Sequence, residues 1–228
     1  MQRKLVLVVL ALILLFSLKP VLVEKYEPFL LSSYKLKEDK TVRLLKNEPT
    51  TYKKKNSSFE TIHYSNDKFS DEFGFRPYPW GKEIFEAEIN FYCDRNLART
   101  GNWSFQIESN SLESVGALAV PDFENKPLVD PDKVYYLSFW INYDFEKGKG
   151  IRLCQQFFIK GDYWYPTYAV YGPFITGSSN GEWEKVGLLV EAPPGAIRGD
   201  PVLIMSGQGE VNVDDAYFGE AKIKEIKN

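Results

Sequence analysis

The amino-acid sequence predicts an all-β fold, a two-sheet β-sandwich, and three observations carry that expectation. Aromatic residues are abundant, with 14 Tyr, 16 Phe and 5 Trp among 228 residues. Short runs of alternating apolar and polar residues recur, each bounded by Gly, Pro, Asn or Asp, and stripes of helical period are scarce. Many short strands that each bury one face pack as two layers around a shared core. A domain of this size buries such a core without staples.

The chain opens on Met1-Gln2-Arg3-Lys4, and an unbroken apolar run follows from Leu5 to Phe16. Positive charge ahead of an apolar run of this length matches a signal peptide. No small-x-small cleavage pattern follows, and tolerating Lys19 extends the segment to Val23. A retained signal anchor therefore stands beside a cleaved signal. Residues 1–23 are expected to export the remainder, leaving it extracellular or at the cell surface, secreted or tethered to the membrane.

Residues 24–55 show little periodicity and read as a polar linker or stalk. Residues 1–23 carry +3 and residues 24–55 carry +4, which leaves −10 for the rest of a chain of net charge −3. An acidic domain argues against a nucleic-acid partner, which requires clustered Lys and Arg.

Residues 56–228 hold the strands in order. Glu83 to Cys93 alternates, and so does Trp103 to Ile107. Val134 to Tyr143 is a long aromatic strand entered through Asp130-Pro131-Asp132-Lys133. Ile151 to Ile159 is another, closed by Lys160-Gly161-Asp162. Trp183 to Val190 lies between Ser179-Asn180-Gly181-Glu182 and Pro193-Pro194-Gly195. Val202 to Met205 and Val211 to Phe218 flank a turn, Ser206-Gly207-Gln208-Gly209. Cys93 and Cys154 sit in strand-like segments; a structural disulfide and two buried free thiols are equal readings in an oxidising compartment.

The closing strand carries Asp214 and Asp215 side by side. Successive strand side chains point to opposite faces, so one of the pair faces inward. An inward carboxylate needs hydrogen bonds, a cation or a metal. The alternative is an edge strand whose acids both reach solvent.

Several segments then carry a resemblance. Asn56-Ser57-Ser58-Phe59-Glu60 resembles the opening Asn-Gly-x-Phe-Glu of carbohydrate-binding modules of the family 4, 9 and 22 type. Pro79-Trp80-Gly81, Ala98 to Phe105, Leu128 to Asn142, Gly181 to Val186 and Val213-Asp214-Asp215-Ala216 are similar to further segments of those modules, in the same order. The resemblance spans Asn56 to Glu220 and implies a galactose-binding-like jelly roll. It also implies non-catalytic binding of a polysaccharide or oligosaccharide.

In many members the resemblance implies a structural Ca²⁺ held by the opening Glu and the closing Asp pair, here Glu60, Asp214 and Asp215. Calcium takes six to eight oxygen ligands and would account for an inward acid. Ser57 replaces the family's Gly, and a long insertion separates Glu60 from Trp80. If Asp71-Glu72-Phe73-Gly74-Phe75 is the true opening, Glu72 replaces Glu60; a third reading has Glu60 capping a turn without metal.

Sugar recognition needs flat aromatic faces beside hydroxyl-binding groups. The stretch Gly161 to Gly172 offers Tyr163, Trp164, Tyr165 and Tyr168, with Asp162 and Gln156 as polar partners. Alternation puts Tyr163, Tyr165 and Tyr171 on one face and Trp164 and Tyr168 on the other, so one set is expected to pack in the core. Trp80, Trp103, Trp140 and Trp183 match fold positions and are assigned to packing. His63 is the single histidine, which disfavours a Ser-His-Asp triad. A polysaccharide hydrolase or lyase of jelly-roll type, and a purely structural surface domain, are the alternatives.

Overall fold

The computed structural model describes residues 30–35, 59–60, 62–64, 75–77, 79–84, 89–163 and 165–221. The signal or anchor segment 1–23, Glu72 and Trp164 lie outside the described residues, as does the stalk except for 30–35.

The fold is all-β, with a single 3-10 turn, Phe123–Asn125, among the described residues. Two long strands organise it: β8 (Val134–Ile159) and β11 (Ala196–Glu220). They pair antiparallel from Tyr135 opposite Glu220 to Ile159 opposite Ala196, forming one ribbon. At 26 and 25 residues they far exceed the usual strand of 3–10. The ribbon serves both layers, bending midway where Gly148, Gly150, Gly207 and Gly209 all adopt positive φ. A Cβ on Gly148 would lie 2.6 Å from the Cα of Gly207, so the two backbones touch where they bend.

One layer is built on residues 134–144 of β8 and 209–220 of β11. It adds β6 (Ser104–Ser109) and β5 (Ile89–Asp94) on one side and β10 (Glu184–Glu191) on the other. The second layer uses the remaining halves of the ribbon, flanked by β9 (Tyr168–Tyr171), β7 (Val115–Ala119) and β4 (Gly81–Ile84). The two layers are consequently one continuous nine-stranded sheet, curled almost into a barrel. The expectation of two separate sheets is corrected on this point. β1 (Leu30–Lys35), placed in the stalk by the sequence reading, extends the first layer along β10. A separate two-stranded ribbon joins β2 (Ile62–Tyr64), which carries His63, to β3 (Phe75–Pro77).

The enclosed core is aromatic. Phe59 and Trp80 pack at 5.6 Å, Trp80 meets Phe139 edge-on at 5.7 Å, and Tyr135 stacks on Phe218 at 5.3 Å. Each such ring contributes roughly 3–5 kcal/mol relative to Ala. Of the two readings held for Cys93 and Cys154, the unbridged one holds: no disulfide joins them, and Cys154 is buried while Cys93 is partly exposed. Cys93 packs against the main core, whereas Cys154 belongs to a small separate cluster with Ala117, Ala119 and Val202. Burial pushes the Cys154 thiol up to about 12, helped by the Asp200 charge, so it behaves as a small hydrophobe.

Candidate functional site

Alternation along four adjacent strands gives the first layer a polar outer face. Phe91, Phe105, Ile107, Val211, Ile141 and Tyr143 point into the core. The residues between them point out, and the register aligns these into two cross-strand rows. One row is Tyr92, Gln106, Asn212 and Asn142; the other is Asn90, Glu108, Glu210 and Asp144. Four strands about 4.8 Å apart make a surface about 14 Å wide.

The rows are linked along and across strands. Tyr92 Oη and Asn90 Nδ2 donate to Glu108 Oε1 at 3.1 and 3.4 Å. Gln106 Nε2 donates to Glu210 Oε2 at 3.2 Å, and Asn142 is held by Gly181 O and Ser179 Oγ. Asn212 is 6% exposed; its Nδ2 donates to Asp94 Oδ2 at 3.4 Å, while its Oδ1 is buried without a donor. Beyond the second row, Glu108, Asp144, Glu146, Gln208 and Glu210 border an open groove of about 250 Å³. Gln208 Nε2 donates to Glu146 Oε2 there at 2.9 Å.

At the other end of this face lie the three acids expected to bind calcium, and the structure brings them all to one loop, residues 98–103. Glu60 Oε1 accepts from the backbone N–H groups of Asn102 and Trp103 at 2.8 and 3.1 Å, and Oε2 from Asn102 Nδ2. Asp214 Oδ2 accepts from Arg99 N and Thr100 N at 2.9 and 3.0 Å, and Oδ1 from Asp215 N at 2.7 Å. Asp215 accepts from Thr100 Oγ1 and is ion-paired with Arg99. All six carboxylate oxygens thus meet donors.

That arrangement does not fit a calcium cage. The positive ends of N–H dipoles and a guanidinium occupy the directions in which an oxygen set would face a cation. No group of three or more acidic, His or Cys side chains capable of holding a metal occurs among the described residues. The loop resolves the buried acid in another way. Asp214 projects onto the same outer face as Asn212 and Trp140 and is 0% exposed because the loop covers it. Asp215 sits at a bulge with φ 45° and stays partly exposed. Neither acid enters the core between the layers. Burial pushes the Asp214 carboxyl up to about 6, opposed by the three backbone N–H bonds. Gly101, φ 65°, passes so close to Glu60 that a Cβ would lie 2.2 Å from Oε1.

The tryptophans divide between packing and this face. Trp80 is fully buried. Trp140 is only partly buried, on the outer face, with the Arg99 guanidinium stacked 3.7 Å above its ring. Trp103 is likewise partly buried beneath Arg95 at 4.0 Å. These two contradict the assignment to core packing: the motif marks a position in the strand, and alternation beside buried Phe139 turns Trp140 outward.

The aromatic stretch singled out from sequence lies on the second layer, away from the polar face. Tyr163 and Tyr165 are 48% and 81% exposed, and Tyr163 packs edge-on against Phe123 at 4.8 Å. Tyr168, on β9, packs against the core, and Tyr171 is exposed with Arg152 4.1 Å over its ring. Asp162 accepts from Thr167 Oγ1, and Gln156 lies half-buried on β8 opposite Ala169. Near this stretch is a second buried acid. Asp200 accepts from Val120 N at 3.1 Å and pairs with Lys126 Nζ, which also donates to Val120 O. Both side chains are nearly inaccessible, and burial raises the Asp200 carboxyl.

No family model matches the chain, and no curated protein is similar to it in sequence. Solved structures are similar in fold. One is a family 61 carbohydrate-binding module in complex with β-1,4-galactotriose, at 16% identity and TM-score 0.43 over 73% of this chain and 96% of that one. Another is a xylan-binding family 22 module from Paenibacillus barcinonensis, at 15% identity and TM-score 0.43 over 69% and 100%. A third is the enzymatically active domain of tailspike protein 4 of bacteriophage CBA120, at 13% identity and TM-score 0.47 over 63% of this chain. The match spans about a fifth of that tailspike, 19% of its length.

Proposed function

We propose that this chain is an exported, non-catalytic carbohydrate-binding module that takes an oligosaccharide or polysaccharide chain on the outer face of its first layer. The observation that carries the reading is the pair of aligned rows, Tyr92–Gln106–Asn212–Asn142 and Asn90–Glu108–Glu210–Asp144. Amides and carboxylates at strand spacing offer a regular array of acceptors and donors to successive hydroxyls, and a sheet holds them rigidly. Trp140, capped by the Arg99 guanidinium, closes one end of the face. Glu108 and Glu210 are bonded to neighbouring amides and a phenol, which suits positioning hydroxyls. The apolar run Leu5–Phe16 supports export, with the module released or held at the membrane.

The test is retention of the full-length chain on a broad polysaccharide panel, with reducing ends assayed in parallel. Weak binding, with Kd between about 1 µM and about 1 mM, is expected for an open face that gains little area. Gln106→Ala combined with Asn142→Ala should abolish retention while the melting temperature holds. No retention on any glycan overturns the reading, and released reducing ends would favour the hydrolase or lyase instead.

A further inference from the structure

We infer that the pocket in the loop after β5, at the end of the polar face, holds the carboxylate of a uronic acid carried singly on an otherwise neutral glycan. This rests on the reading of that face as a glycan site. Arg95, Asn96, Asn102 and Trp103 line an open pocket of about 530 Å³. It adjoins the row that begins with Tyr92 and Gln106. Arg95 follows Tyr92 by three residues and Trp103 precedes Gln106 by three, a separation of about 10 Å at strand spacing. One oligosaccharide therefore reaches both.

Two guanidinium groups stack on tryptophan rings in this loop, and only one of them is neutralised. Arg99, over Trp140, is ion-paired with Asp215. Arg95 lies 4.0 Å over Trp103, is exposed, and forms no ion pair among the described residues. The acids closest to it in the loop are committed to other donors. Asp94 accepts from Asn96 N at 2.8 Å with one oxygen and from Asn212 Nδ2 at 3.4 Å with the other. Glu60 is taken by Asn102 and Trp103. Stacking on a ring holds the planar fork in place, so little freedom is lost when it binds. A carboxylate arriving in the plane of the fork takes two parallel N–H bonds. The amides of Asn96 and Asn102 offer donors and acceptors to the hydroxyls of the same sugar.

The far end of the face limits how often the charge can recur. Glu108, Asp144, Glu146 and Glu210 border the groove there. A uronate on every sugar would bring anions against these acids, whereas an isolated one would not.

NMR titration of the full-length chain, followed at the Trp103 indole N–H, should compare glucuronate, its methyl ester, glucose, acetate and a pentagalacturonate. Glucuronate is expected to shift that signal and to bind about tenfold tighter than the ester, which lacks only the charge. Arg95→Gln should erase the difference at unchanged melting temperature. Arg95→Lys should restore only part of it, because an ammonium cannot make the paired bonds. The pentagalacturonate should bind no more tightly than glucuronate, and tighter binding would overturn the single-charge assignment. If the ester or glucose binds as well as glucuronate, or acetate matches it, the inference fails while the glycan reading stands. An advantage that survives Arg95→Gln places the carboxylate elsewhere and also overturns it. Should the polysaccharide panel retain nothing, the proposed function itself fails, and this inference with it.

Discussion

Asp200 and Asp214 lie on the same strand, and both are removed from water, yet they are held in opposite ways. Asp200 meets a buried cation, Lys126, and one backbone N–H. Asp214 meets three backbone N–H groups and no cation, while its neighbour Asp215 takes the nearby Arg99. A charge pair neutralises both partners but leaves each stranded if the other is lost. Amide donors spread the same stabilisation over several weaker bonds that belong to a loop. The difference is between a site that fails all at once and one that loosens in steps.

The largest expected effect follows from breaking the pair. Lys126→Met should destabilise the fold by about 3–5 kcal/mol, because Asp200 would remain buried and unpaired. Urea unfolding measures it, and Lys126→Met combined with Asp200→Leu should recover most of the loss. A double variant as unstable as the single one would contradict the pairing.

Removing the other acid should cost less. Asp214→Ala leaves the amides of Arg99, Thr100 and Asp215 without their acceptor, a loss of about 1–3 kcal/mol. Hydrogen exchange at Arg99 and Thr100 should accelerate ahead of the rest of the sheet. Unchanged protection would show that the loop is held by other contacts.

A smaller effect is expected from pH. The Asp214 carboxyl titrates near 6 in the folded protein against 3.8 for an ordinary Asp. The folded state therefore binds more protons across this window, and the Asp214 contribution to stability decreases as pH rises through it. It is fully present below about pH 4 and lost above about pH 6. The difference in unfolding free energy between wild type and Asp214→Asn should drift in that direction, and a flat difference would contradict the assignment. The smallest effect is expected from chelation. With every carboxylate oxygen of Glu60, Asp214 and Asp215 already bonded to protein donors, a calcium chelator should leave the melting temperature unmoved. A clear downward shift would restore the metal reading.

Local alternation made most strands legible, because one buried face imposes a period of two on the residues themselves. The ribbon was harder to read. Lys147-Gly148-Lys149-Gly150 and Ser206-Gly207-Gln208-Gly209 look like turns, since glycine in series marks a chain reversal by local chemistry. Here the same glycines let two paired strands bend together while hydrogen bonding continues, and only the partner strand reveals that. The polar face was hidden for a related reason. Asn90, Gln106, Asn142 and Asn212 each look like the ordinary solvent side of a strand, and they form rows only once register is known. Aromatic density drew attention to Tyr163 and Tyr165 instead. The Asp214-Asp215 pair was legible as a constraint; its solution, a loop of N–H donors, came from residues more than a hundred positions away.

The ribbon also determines how the molecule comes apart. Because β8 and β11 run through both layers, neither layer possesses strands of its own at its centre. Ile159 and Ala196 are the ribbon's nearest partners along the chain, and Tyr135 and Glu220 the most distant. Closure entropy rises with that separation, so assembly is easiest from the Ile159 end and the Tyr135 end joins last. The β6–β11 contacts beneath the polar face belong to that late half, so the binding rows exist only when the whole sheet does. Partial unfolding intermediates that retain a working face are excluded by the topology.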